Sequence, residues 1–176
     1  MVSGADKVKE EALNILNQKT TFVSAGDAIT AKLVKEAGFD GIWVSGFEVT
    51  ARMGLKDDGR ITMTEMIIAS RPIIQSTKLP VIIDVDTGYS NFERTIIEFE
   101  LLGAFGICVE DNLPDKENSL FGGAHELLPA SEFSKKIEAV RKRKIKIIAR
   151  TEALIRGKTL SEATRQSPER YRKAGI

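Results

Sequence analysis

The chain has 176 residues, of which 42% are hydrophobic and 29% charged, enough for one domain with a sizeable core and unlike the composition of a disordered protein. Lys and Arg total 26 against 25 for Asp and Glu, so the net charge of +1 gives no general field toward nucleic acid or an anionic membrane. Met1 to Lys7 lacks the apolar core of a secretory signal, no stretch approaches the roughly 18 apolar residues of a membrane span, and a single Cys excludes an internal disulfide; a cytoplasmic protein is expected.

Val8 to Asn17 reads as an amphipathic helix and Thr21 to Ala25 as a short strand. Asp27 can cap a helix through Glu36 that stops at Gly38. Asp40 to Ser45 is a second strand, followed by a short helical turn, the irregular stretch Gly54 to Arg60, and a helix opened by Thr62 and running to about Ser76. Leu79 to Ile83 and Ala104 to Val109 are apolar strands separated by a helix over Asn91 to Leu102. A long loop from Asn112 to Pro129 precedes a helix from Ser131 to Arg143 and a fifth strand, Ile145 to Ala149; a last helix reaches from near Leu160 to Lys173. Unbroken alternation of strand and helix predicts an α/β fold with a parallel sheet, and polar groups at successive strand ends favour a TIM-type (β/α) barrel. Residues 1–20 form the expected N-terminal helix and 21–176 a partial barrel.

Three carboxylates stand out. Asp84 and Asp86 follow one apolar strand and Glu110 follows the next. A strand buried on both faces has no reason to end in acid unless that end meets water or a cation. With one helix between them, the two strands are expected to be neighbours roughly 5 Å apart, so that the acids share one ion. All-oxygen ligation suits Mg²⁺ or Mn²⁺, whereas one His and one Cys cannot supply the shell zinc prefers. The alternative is that single acids cap the following helix or pair with a Lys. Cys108, in mid-strand, reads as a buried small hydrophobe, and His125 as a solvated loop residue.

Asp84 to Asn91 (D-V-D-T-G-Y-S-N) resembles the D-x-D-T-G-Y-G-N signature of the isocitrate lyase and phosphoenolpyruvate mutase superfamily. Ala37 to Gly46 is similar to its E-A-G-F-x-G-I-W-x-S-G segment, and Ile148 to Ala153 to its I-A-R-T-E-A strand end. The lyases carry a K-K/R-C-G-H loop with a catalytic Cys; the stretch after Glu110 has none and resembles instead the mutase loop E-D-K-L-F-P-K-x-N-S, matching at Glu110, Asp111, Leu113, Lys116, Asn118 and Ser119. Phosphonopyruvate hydrolases place Thr where Asn118 stands. Departures are Asn112 for the family Lys and Pro114-Asp115 for its Phe-Pro.

The resemblance implies interconversion of phosphoenolpyruvate and phosphonopyruvate, small-molecule substrates, through a Mg²⁺-stabilised enolate. It implies Asp84 as inner metal ligand, with Asp86 and Glu110 acting through waters. Arg150 would bind the phosphoryl group, its alternative being a salt bridge to Glu152 or Glu110. Lys116, Asn118 and Ser119 would complete the shell, or else form an ordinary polar loop. Asp57 would accept or position the migrating group, although Gly and Asp are also common turn formers. Trp43, Ser45, Gly46 and Phe47 would line the pyruvyl carboxylate pocket, Trp43 being otherwise a core aromatic. Hydrolysis of phosphonopyruvate and decarboxylation of oxaloacetate are the competing reactions of the same pocket.

Five strands are fewer than a closed barrel needs. Ala174-Gly175-Ile176 reads as the turn into a further strand, so a fragment of a longer product is expected, or a domain completed differently. On the first reading residues 1–176 alone would be inactive and poorly soluble or associated, the full-length protein would be a homo-oligomer like its relatives, and a non-catalytic remnant is the alternative.

Overall fold

The computed structural model describes residues 19–113 and 126–155. Strands β1 (Phe22–Ser24), β2 (Gly41–Val44), β3 (Val81–Asp84), β4 (Gly106–Glu110) and β5 (Lys146–Arg150) form one parallel sheet in the order β1-β2-β3-β4-β5. Each strand pairs with the next one in the chain. A doubly wound sheet reverses its strand order at a switch point; an uninterrupted succession winds one way only, as in a barrel wall. The helices between the strands are α1 (Ala28–Glu36), α2 (Gly46–Arg52), α3 (Met63–Ser76), α4 (Phe92–Leu102) and α5 (Ala130–Val140). The anticipated helices over Val8–Asn17 and Leu160–Lys173 lie outside the described residues.

Local sequence explains most boundaries. Asp27 caps α1 by accepting a hydrogen bond from Thr30 N at 2.7 Å, and Gly38, at φ +81°, takes the left-handed turn that leads away from it. Thr62 and Glu65 close a reciprocal capping box at the start of α3. Strand β3 begins at Val81 rather than Leu79 because Pro80 has no N–H to donate; its carbonyl accepts from Ile42 N at 2.9 Å. Helix α5 starts one residue early, at Ala130, and ends at Val140 rather than Arg143.

Every residue of β3 and β4 is buried, while β1 and β5 are half-buried throughout, so the core lies under the middle of the sheet. Ile42, Val44, Ile83 and Ile107 from the strands meet Met66, Ile73, Ile96, Phe99, Phe133 and Ile137 from α3, α4 and α5. Continuous apolar runs in the central strands are what two covered faces require.

Asp27 also pairs with Arg52, which ties α1 to the end of α2. The Thr30 backbone N–H, helped by the Arg52 charge and opposed by partial burial, holds the Asp27 carboxyl below the usual carboxylate range. Asp27→Ala is expected to lower stability by about 1 kcal/mol, and Asp27→Asn by less, because the amide oxygen still caps. A depressed folded-state pKa contributes stability above the unfolded value that is lost as pH falls through the folded value. The gap between wild type and Asp27→Ala in urea melts should therefore close on acidification; a gap constant from pH 7 to pH 3 would remove the electrostatic part of this account.

Candidate active site

Strand register brings the acids together. Asp84 is the last residue of β3 and lies opposite Cys108 of β4; two rungs further, Glu110 lies opposite Arg150 at the end of β5. Adjacent parallel strands thus deliver Asp84, Glu110 and Arg150 to one edge of the sheet, the carboxyl end, where such folds bind ligands. Asp84 is 8% exposed, Asp86 7% and Glu110 1%.

Arg150 stands among the carboxylates. Its Nη1 lies 2.8 Å from Asp84 Oδ2, its Nη2 pairs with Glu110 Oε2, and its Nε lies 2.9 Å from Glu152 Oε1. The pairs to Glu152 and Glu110 are those the sequence offered as the alternative role for this residue. Burial opposes the guanidinium charge, but Asp84 and the neighbouring acids outweigh it and raise the Arg150 pKa. Among the described residues, one guanidinium faces three carboxylates, so hard oxygen donors are gathered where a divalent cation can bind. Among the described residues, no group of three or more His, Cys, Asp or Glu is gathered so as to hold a metal ion by itself. The donors at Asp84, Asp86 and Glu110 are hard oxygens, and Arg150 already acts there as a stand-in positive charge; both fit Mg²⁺ or Mn²⁺, which keeps several waters and needs no all-protein cage.

Asp86 sits past the strand in a tight turn. Its φ is +49°, and Gly88 and Tyr89 follow at +86° and +58°. Asp86 N donates to Asp84 Oδ1 at 3.1 Å, and Glu110 N donates to the Asp86 carbonyl at 2.8 Å, so β3, the turn and β4 are linked at this point. Burial, followed by the charges of Asp86 and Asp84, pushes the Tyr89 phenol well up, and its buried hydroxyl has no hydrogen-bond partner among the described residues. A cavity of about 570 Å³ opens beside the turn, lined among others by Gly59, Thr62, Met63, Asp86, Tyr89 and Asn91. That volume is in the range of small-molecule sites.

The other anticipated residues distribute as follows. Trp43 is half-buried on β2 between Ser24 and Ile82. Ser45 caps α2, its Oγ accepting from Glu48 N at 3.5 Å. Gly46 is buried beside Asp86, whose carboxylate oxygens lie 3.7 and 3.9 Å from where a Gly46 Cβ would be, so β2 also feeds this edge. Phe47 is 50% exposed on α2. Asp57 is half-buried in the stretch between α2 and α3, whose Gly59 reaches the cavity. Lys116, Asn118, Ser119 and His125 lie outside the described residues. Burial, with the nearby Asp84 charge, pushes the Cys108 thiol up to about 12, which suits an inert core residue.

Three further groups at this edge were named in the sequence motifs but given no place in the site. Glu152 is 2% exposed and shares Arg150; the i, i+2 spacing Arg150–Glu152 was the available signal. Asn112, which replaces a family Lys, donates Nδ2 to Glu110 Oε1 at 2.8 Å. Asp111 accepts from Thr151 Oγ1 at 2.7 Å and Glu152 N at 2.8 Å, while burial raises its pKa against those bonds. An antiparallel bridge between Asn112 and Leu127 holds the two ends of the intervening segment together.

A family model described as phosphoenolpyruvate phosphomutase matches residues 12–176. Phosphoenolpyruvate phosphomutase of Tetrahymena pyriformis is 36% identical over 161 residues, covering 87% of this chain and 53% of that protein. The crystal structure of phosphoenolpyruvate phosphomutase from Streptomyces platensis subsp. rosaceus superposes with a TM-score of 0.86 at 35% identity, covering 99% of this chain and 62% of that one. A phosphonopyruvate hydrolase in complex with oxalate and Mg²⁺ superposes with a TM-score of 0.84 at 32% identity, covering 99% and 61% respectively. The chain spans about half the length of the curated relatives it matches.

Proposed function

The chain belongs to the phosphoenolpyruvate phosphomutase family, and from that premise we propose that the protein interconverts phosphoenolpyruvate and phosphonopyruvate. The observation that carries the reading is the meeting of Asp84, Glu110 and Arg150 at the ends of three successive parallel strands. In the proposed reaction the C–P bond of phosphonopyruvate breaks and a P–O bond forms on the same three-carbon skeleton, leaving no net proton or water change. A divalent cation bound there would supply positive charge to offset the negative charge that develops on the substrate oxygens.

Asp84, Asp86 and Glu110 would hold that Mg²⁺ or Mn²⁺. Arg150 would turn its planar fork from the carboxylates toward the equatorial oxygens of the moving phosphoryl group, which a guanidinium matches in geometry and charge. Trp43, Ser45, Gly46 and Phe47 would bound the pyruvyl carboxylate, and Asp57 would position or accept the phosphoryl group. Lys116, Asn118 and Ser119 would add donors and exclude water, on which the choice between transfer and hydrolysis depends. The full-length protein is proposed to be a cytoplasmic homo-oligomer.

Asn118 supports the mutase over the hydrolase, because an amide can hydrogen-bond the phosphoryl group without delivering water, whereas the hydrolases resembled by this loop carry Thr. Phosphonopyruvate supplied with Mg²⁺ should give phosphoenolpyruvate as the main product by ³¹P NMR. In Asn118→Thr the yield of pyruvate and phosphate should rise. If the wild-type protein releases pyruvate and phosphate faster than phosphoenolpyruvate, the hydrolase reading replaces this one.

A further inference from the structure

The turn after β3 is conformationally expensive. Asp86 and Tyr89 both carry side chains at positive φ, and Gly88 between them is also left-handed. A turn of this kind persists only where its surroundings fix it. Its carbonyls identify what does so. The Val85 carbonyl accepts from Gly88 N at 2.7 Å, that of Asp86 from Glu110 N at 2.8 Å, and that of Gly88 from Thr95 Oγ1 at 2.9 Å. These donors belong to the turn itself, to β4 and to α4. The Thr87 carbonyl accepts from Lys136 Nζ, on α5, 49 residues further along the chain.

A lysine on an outer helix ordinarily extends its ammonium into water. Lys136 is half-buried instead, and its Nζ lies 4.9 Å from the centroid of the Phe92 ring. A Cβ placed on Gly88 would lie 2.5 Å from Phe92 Cδ2 and 3.4 Å from Lys136 Nζ, so Gly88, Phe92 and Lys136 are packed into one contact. Phe133 and Ile137, both buried, anchor the same stretch of α5 in the core and set where Lys136 can reach. Desolvation of the ammonium is offset by a charge-assisted hydrogen bond and by the face of the ring. Burial pushes the Lys136 pKa down, in keeping with a charge held away from water for a structural return.

We propose that Lys136 is a positioning residue: by binding the Thr87 carbonyl it locks the turn and so fixes the orientation of the Asp86 carboxylate. The peptide it holds immediately follows the residue that bears the Asp86 backbone contacts to Asp84 and Glu110. α5 thereby reaches the active edge of the sheet from outside it. The functional half of the inference rests on Asp86 being a cation ligand; the locking of the turn does not.

The test compares Lys136→Met, which keeps the stem and removes the donor, with Lys136→Arg, which keeps charge and donor, and with Lys135→Met at an exposed site on the same helix. Amide hydrogen exchange at Gly88 and Tyr89 should quicken about tenfold in Lys136→Met, and Mn²⁺ affinity by titration should fall about tenfold, the effect typical of groups that support a metal site. Lys136→Arg should recover most of both, and Lys135→Met should change neither. Exchange rates equal to wild type in Lys136→Met would overturn the proposal, as would faster exchange with unaltered Mn²⁺ affinity. If Lys136→Met does not fold, failure of Lys136→Arg to retain wild-type exchange would overturn it equally. Wild-type protein that binds no Mn²⁺ at all would refute the cation reading of Asp86, and the exchange rates would still decide the turn.

Discussion

Arg150→Met is expected to leave the protein largely unable to hold its fold at neutral pH in the absence of a divalent cation. The substitution removes a guanidinium that, among the described residues, contacts Asp84, Glu110 and Glu152, carboxylates that are 8%, 1% and 2% exposed. Breaking a buried ion pair by removing one partner costs about 3 to 5 kcal/mol, because the remaining charge stays buried without compensation. Against a total stability on the order of 5 to 15 kcal/mol, that loss is large. Arg150→Lys retains a charge but offers one nitrogen where three carboxylates use three, so it should fall between the two. Millimolar Mg²⁺ should restore part of the loss in Arg150→Met, since a cation bound among the same oxygens replaces the missing charge and stabilises by mass action. On the proposed reading, turnover should nevertheless stay undetectable in both variants, because neither keeps the guanidinium fork that would bind the phosphoryl group. A wild-type urea midpoint for Arg150→Met would show that the ion pairs contribute nothing, and stability unaffected by Mg²⁺ would count against cation binding at these carboxylates.

The second large effect is expected at Asp84. Asp84→Asn keeps an oxygen toward Asp86 N, so the turn should survive, but it removes a charge that faces Arg150 and, on the proposed reading, the cation. Mn²⁺ affinity should fall by more than the 10- to 100-fold, roughly, that supporting residues typically command. Turnover should vanish with it. Asp84→Ala should lose both affinity and the acceptor for Asp86 N, and so should also quicken exchange at the turn. Calorimetric titration with Mn²⁺ decides the matter without reference to activity: unchanged affinity in Asp84→Asn would exclude this residue as a ligand.

Asn112 bears on both experiments. It donates to Glu110 Oε1, on the side of the carboxylate away from the oxygen that meets Arg150. A neutral amide there orients Glu110 without adding a second fixed positive charge beside it. The family Lys at this position would add one.

Much of this architecture was legible in the sequence. Alternation of apolar runs with helical periodicity specified a parallel sheet, and local chemistry placed the ends of its elements: the carboxylate of Asp27, the Thr62–Glu65 box, Asn91 accepting from Arg94 N, and the missing N–H of Pro80. These signals act within three or four residues, so no tertiary information is needed to read them. The acids at strand ends could be recognised for the same reason, as charge where an apolar run stops. Tertiary structure alone decided which groups meet. The distance between β3 and β5 along the chain is more than sixty residues, yet their register through β4 sets Arg150 against Asp84 and Glu110 together. Nothing local predicted the reach of Lys136 from α5 to the Thr87 carbonyl, because its spacing on the helix reads as that of any solvated lysine. Patterns of hydrophobicity determine which face of an element is buried; the contacts between polar ends depend on how the elements stack, and only the folded sheet fixes that.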